Sequence, residues 1–182
     1  MLTQIFSWLT PEGCILPQKD CKIGLVGGTF SLLHRGHRHL LRYAASKSEK
    51  LIVGVTSDEY IRKNQKNHPV EPYELRALSV ILFLMHVDPS LNILVVPIDD
   101  EYGPALTEVE ADCIFVSEET FSGAVKVNLA RRARGLKPLK VYSVELIGQE
   151  GEKLSSTTLW RKILSRQTRG DFSPYSFNKE NY

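Results

Sequence analysis

One stretch, Gly27-Gly28-Thr29-Phe30-Ser31-Leu32-Leu33-His34-Arg35-Gly36-His37, gathers glycines, hydroxyls and two imidazoles directly after an apolar run. Two glycines at a strand end let the backbone turn tightly and come close to a ligand. A helix starting near Gly36 aims its unpaired N–H groups and the positive end of its dipole at the same place. His34 and His37 stand three apart at that start, so both rings project to one side and can donate to a phosphate. Gly36 leaves no side chain between them, and an anion is the natural occupant. A second stretch, Leu154-Ser155-Ser156-Thr157-Thr158-Leu159-Trp160-Arg161-Lys162, opens a further helix with hydroxyls, which cap an N-terminus and also donate to anions. Taken singly, the first stretch also fits a packing turn with surface histidines, and the second a plain N-cap.

These groups need elements to position them. Apolar, β-branched runs at 23–26, 51–55, 93–98, 113–116 and 139–144 read as five buried strands. Helical periodicity fills 37–46, 71–85 and 118–134, the last ending at Gly135 as a C-cap. The alternation predicts an α/β fold: a doubly wound, Rossmann-like parallel sheet of about five strands with helices on both faces, in a single domain. Ligands of such folds sit at the carboxyl ends of the strands. A last helix is expected over about 155–165. Residues 1–21 read as an N-terminal extension with a short amphipathic turn around Ile5, Phe6 and Leu9, 22–168 as the domain, and 169–182 as a loose or docked tail.

GGTF followed by HxGH in a strand-turn-helix context resembles the nucleotidylyltransferase superfamily, and the serine-threonine stretch resembles that superfamily's C-terminal phosphate motif. The likeness extends through Pro72-Tyr73-Glu74-Leu75-Arg76, Asp100-Glu101-Tyr102-Gly103-Pro104-Ala105, Ser117-Glu118-Glu119-Thr120, Asn128-Leu129-Ala130-Arg131-Arg132 and Gly135-Leu136-Lys137-Pro138-Leu139. Over about residues 22–165 the chain is similar to the archaeal and eukaryotic type of phosphopantetheine adenylyltransferase. This resemblance implies transfer of AMP from ATP to 4'-phosphopantetheine, giving dephospho-coenzyme A and pyrophosphate, with Mg²⁺ bridged by the ATP phosphates. The alternatives are a nucleotide- or coenzyme-A-binding module with little catalysis, and an adenylyl- or cytidylyltransferase with another small phosphate acceptor. Gln149-Glu150-Gly151-Glu152 stands where cytidylyltransferases show Arg-Thr-x-Gly, which argues against CTP.

The resemblance assigns His34, His37, Thr29 and Lys63 to catalysis. It assigns Gly27, Gly28, Thr29, Phe30, His34, Gly36, His37, Glu119, Ser155, Ser156 and Thr157 to the nucleotide, and Thr29, Lys63, Asp100, Tyr102 and Arg131 to the acceptor. Arg62, Lys63 and Lys66 fall in a loop after the second strand, where the family places a phosphate-binding lysine. Two positions depart from the family pattern: Ser31 stands where Asp is usual, and Trp160 where Arg is usual, with Arg161 one residue later. A step of one residue turns a helical side chain by about 100 degrees, so Arg161 is no automatic substitute. Near-neutral imidazole pKa values make a pH-dependent activity the expectation.

Composition excludes several other classes. The 182 residues, 42% apolar and 24% charged, suit one globular domain. A net charge of +2 is too small to make nucleic acid or an anionic membrane the default partner. The basic residues of 126–140 alternate with an apolar face and lack stacking aromatics. Cys14, Cys21 and Cys113 show no CxxC pairing or zinc-ligand spacing, so neither a disulfide framework nor a metal site is expected, and a reducing, cytoplasmic setting fits. The start of the chain lacks a basic leader and is broken by Pro11, and the longest apolar window, 78–87, is far below membrane-spanning length.

Overall fold

Five strands, β1 (Cys21–Gly28), β2 (Ser48–Thr56), β3 (Asn92–Ile98), β4 (Cys113–Ser117) and β5 (Lys140–Val144), lie in the order β3-β2-β1-β4-β5. All four pairings are parallel. The strand order reverses between β1 and β4, which opens a crevice at their carboxyl ends. This computed structural model describes residues 19–64, 68–145, 157, 159 and 160. The expected N-terminal turn, Lys66, 149–152, Ser155, Ser156, most of the last helix and the tail lie outside the described residues.

Helices cover both faces. On one, α1 (Arg35–Lys47) presents Leu40, Leu41, Ala44 and Ala45, a helical stripe, to Val26, Leu51, Val53 and Phe115 of the sheet. Beside it α3 (Tyr73–Val87) buries Ala77, Val80 and Leu84 in the same cluster. On the other face α4 (Phe121–Ala133) and the 3-10 turn Gly103–Leu106 set Ala124, Val127 and Ala105 against Leu25, Ile52, Ile114 and Val116. Alternate residues of β1 and β2 thus feed opposite layers, as the pleat requires.

Several boundaries differ from expectation, each for a local reason. α3 starts at Tyr73 rather than Glu71 because Pro72 stands outside the helix with ψ 149, and a residue before proline is kept from helical backbone. The segment expected as a loop after β2 holds α2 (Asp58–Lys63), capped by Ser57 Oγ accepting from Tyr60 N at 3.1 Å, with Asp58 and Glu59 in its first turn and Arg62 and Lys63 in its last. Those charges complement the helix dipole and were a readable signal. At the far end of α4, Gly135 takes φ 72 and Leu136 N donates to Arg131 O at 2.9 Å, the left-handed cap expected there.

The cysteine expectation is corrected. Cys21 and Cys113 form a disulfide with their Cα atoms 6.0 Å apart, joining the starts of β1 and β4 across 92 residues of sequence. Only the parallel alignment of the two strands brings these sulfurs together, so no local spacing announced it. Closing a loop of this size is worth up to about 4.7 kcal/mol. Reduction should therefore lower the urea midpoint of the folded chain, and equal midpoints with and without reductant would contradict the bridge.

Candidate functional site

The loop between β1 and α1 is strained. Phe30 and Leu32 have φ 54 and φ 55, left-handed backbone that bulky L-residues rarely adopt. Gly27 and Gly28 do not make this turn; they are the last residues of β1, and their value is space. A Cβ on Gly28 would lie 3.2 Å from the Phe30 ring, and one on Gly27 would lie 3.4 Å from Ile98. Phe30 itself, expected to touch a nucleotide, sends its ring into the core at 1% exposure. The ring meets that of His37 in a T-shaped contact, with centroids 5.3 Å apart.

Strain of this kind persists only where other contacts hold it. Glu71 Oε1 accepts from Leu32 N at 2.8 Å, and its Oε2 accepts from Ser31 Oγ at 2.7 Å. Arg76, 2% exposed, donates to the carbonyls of Thr29 (3.0 Å), Thr56 (2.7 Å) and Glu71 (2.6 Å) and pairs with Asp58 Oδ1 at 2.7 Å. One guanidinium therefore ties the ends of β1 and β2 to the segment before α3. Neither Glu71 nor Arg76 was assigned a role from sequence. Five residues apart, they meet the loop through tertiary packing alone.

His34 is the N-cap of α1, in extended conformation, and its own side chain makes no capping bond. His34 and His37 stack with ring centroids 3.8 Å apart. His34 Nδ1 is buried without a hydrogen-bond partner among the described residues. Burial lowers its pKa from 6.5 to about 4, opposed by the charge of Glu119, which lies in the 3-10 turn Glu118–Thr120 directly after β4. This corrects the near-neutral expectation: without a ligand His34 is an uncharged ring at neutral pH. Imidazole, Thr29 and the start of α1 converge at the carboxyl end of β1, with the charge of Glu119 acting on His34 from the turn after β4. This corner of imidazole, hydroxyl and helix start lies at the point where the strand order reverses.

Other assigned residues stand elsewhere or are otherwise engaged. Arg131 is fully buried, its guanidinium bonded to the carbonyls of Lys137 (2.7 Å), Ala105 (2.6 Å), Glu108 (3.1 Å), Val109 (3.3 Å) and Ala111 (3.4 Å), so it is a clamp for the 105–111 loop and not an acceptor ligand. Asn128, from the same shared segment, exchanges two bonds with the Leu139 backbone, at 2.9 and 2.8 Å. Asp100 Oδ1 accepts from Tyr102 N and Gly103 N at 2.8 and 2.7 Å, which makes it a turn former. Tyr102 packs against the second core layer. Lys63 is exposed, and its ammonium is paired with Glu59 at 2.8 Å on α2. Thr157 is exposed. Trp160, one of the two departures from the family pattern, donates from Nε1 to the other, Ser31 Oγ, at 3.0 Å.

An all-parallel, doubly wound sheet with this corner at its switch point is the Rossmann-like nucleotidyltransferase class of fold. The chain belongs to the cytidylyltransferase-like family, whose model matches residues 25–163. The phosphopantetheine adenylyltransferase of Methanopyrus kandleri is 36% identical over 148 residues, covering 81% of this chain and 94% of that protein. The phosphopantetheine adenylyltransferase of Thermococcus gammatolerans is 41% identical over 136 residues, 74% of this chain and 85% of that one. Among solved structures, a protein of unknown function from Archaeoglobus fulgidus aligns with a TM-score of 0.56 at 31% identity, covering 68% of this chain and 98% of that chain.

Two outcomes follow from this geometry. Glu71→Ala removes the acceptor of the Leu32 amide and of the Ser31 hydroxyl, and should cost about 2–4 kcal/mol in urea unfolding; a loss below about 0.5 kcal/mol would show that the loop holds itself. Between pH 6.5 and about 4 the unfolded chain binds the His34 proton that the folded chain refuses. Stability should thus fall as pH drops through that window, with a smaller fall in His34→Gln. NMR titration of the ligand-free protein should place the His34 midpoint near 4; a midpoint above 6 would remove the burial argument.

Proposed function

We propose that the chain transfers AMP from ATP to 4'-phosphopantetheine, giving dephospho-coenzyme A and pyrophosphate. The observation that carries this reading is the stacked His34–His37 pair on the strained loop at the sheet's switch point, in a chain whose relatives over most of its length are phosphopantetheine adenylyltransferases. A phosphate oxygen of the acceptor attacks the α-phosphorus of ATP in line. The bond from that phosphorus to the bridging oxygen breaks, and pyrophosphate leaves with the electron pair. No enzyme nucleophile is needed, so the protein contributes positioning and stabilisation of charge on the phosphoryl oxygens.

His34 and His37 are assigned to the ATP phosphates and the transition state, and the Gly27-Gly28-Thr29 backbone to the close approach of the nucleotide. Ser155, Ser156 and Thr157 are assigned to the pyrophosphate portion. Anionic phosphates beside His34 favour its protonated form, so nucleotide binding supplies the charge that burial denies the empty site. Lys63 reaches the acceptor only by leaving Glu59. The groups gathered at the loop are imidazole, hydroxyl and amide, and the Glu71 carboxylate is already taken by Ser31 and Leu32. Such donors grip phosphate oxygens, and Mg²⁺, which would offset charge on the triphosphate, is held in this reading by the ATP phosphates.

The test is pyrophosphate release by the purified chain with ATP, Mg²⁺ and 4'-phosphopantetheine, beside CTP and nicotinamide mononucleotide controls. His37→Ala should lower acceptor-dependent release by at least about 100-fold. Release that needs ATP and the acceptor and is lost in the variant supports the reading. ATP binding without release would mark a nucleotide-binding module instead.

A further inference from the structure

Trp160 joins two parts of the chain that sequence keeps 129 residues apart. Its indole Nε1 donates to Ser31 Oγ at 3.0 Å. Ser31 is fully buried, and its hydroxyl donates onward to Glu71 Oε2 at 2.7 Å while Glu71 Oε1 takes the Leu32 amide at 2.8 Å. An indole N–H can only donate, and a hydroxyl has one hydrogen but two lone pairs. The run Trp160 to Ser31 to Glu71 therefore has one direction, and the carboxylate at its end polarises both bonds. Thr157 and Trp160 both have helical backbone and stand three residues apart, which puts them on one helix face. The hydrogen bond thus ties Trp160, three residues after Thr157, to the left-handed loop that leads into His34.

We infer that Trp160 is a positioning residue for the triphosphate site, holding the segment with Thr157 in register with the loop that carries His34 and His37. This rests on the nucleotide-transfer reading above. A rigid, two-torsion side chain loses little freedom on being held, and it fixes the separation of the two phosphate-directed segments without placing a charge between them. Trp160 touches no reacting atom; it acts through Ser31.

Trp160→Phe keeps an aromatic ring and removes only the N–H. Loss of one such bond corresponds to a five- to tenfold rise in KM for ATP, at about 1 kcal/mol or slightly more. KM for the acceptor should stay within about twofold. Because the effect runs through Ser31, Trp160→Phe should add nothing in a Ser31→Ala background. A merely structural role would lower the melting temperature and leave the two KM values in proportion. The chain has two tryptophans, Trp8 and Trp160, so in a Trp8→Phe background the remaining emission reports Trp160 directly and should change saturably with ATP. If Trp160→Phe does not fold, Ser31→Ala alone carries the same KM expectation. An unchanged KM for ATP, or full additivity with Ser31→Ala, would overturn the inference while the activity itself stands. Absence of ATP binding by the unaltered chain would overturn both.

Discussion

Left-handed backbone at Phe30 and Leu32 costs roughly 1–3 kcal/mol at each residue, and the arrangement of His34 and His37 depends on that cost being met. Glu71 and Arg76 meet it from one short segment, the carboxylate binding the loop's amide and hydroxyl and the guanidinium its carbonyl. Pro72 lies between them and keeps Glu71 out of α3, which leaves the carboxylate in extended backbone where it reaches the loop. The strain and its restraint belong together: a relaxed turn here would carry α1 off at another angle and part the two stacked imidazoles.

Buried charge is used in two ways in this fold. Arg76 and Arg131 are almost wholly enclosed, and each is satisfied mainly by main-chain carbonyls, five of them in the case of Arg131. A planar fork with five donors can gather carbonyls from several turns at once, which an ammonium cannot do in the same geometry. The two stand at opposite ends of the sheet: Arg76 at the carboxyl ends of β1 and β2, Arg131 at the loop that leads into β4. The site itself is different in kind. Burial holds His34 neutral, and Glu119 only partly offsets that effect. A buried imidazole that is neutral in the ligand-free protein avoids the desolvation cost of a fixed buried cation, and in the proposed function a bound anion favours its protonated form.

The departures at Ser31 and Trp160 take on meaning only as a pair. Read along the sequence, each is an isolated loss, a carboxylate here and a guanidinium there. In three dimensions they form one hydrogen bond, and the Ser31 hydroxyl passes it to Glu71. Arg131 and Asp100 show the opposite case. Both lie in segments that resemble the adenylyltransferase family and both were assigned to the acceptor on that ground, yet their polar atoms are spent on local carbonyls and amides. Residue type and motif membership told nothing about that, because satisfaction of a buried guanidinium depends on which carbonyls the folded chain brings to it.

By itself the sequence determined the layers and where in them the histidine pair stands. Continuous apolar, β-branched runs and period-3.6 apolar patterns are local properties, so five strands, the main helices on both faces and the parallel sheet were legible, as was the histidine pair at the start of α1. The tertiary structure alone decided what depends on distant partners. The Cys21–Cys113 bridge requires β1 beside β4; the lowered pKa of His34 requires the enclosure of its ring; the left-handed loop requires Glu71 and Arg76. Each is a contact between residues remote in sequence, fixed by strand order and packing, and no spacing rule along a single chain contains that information.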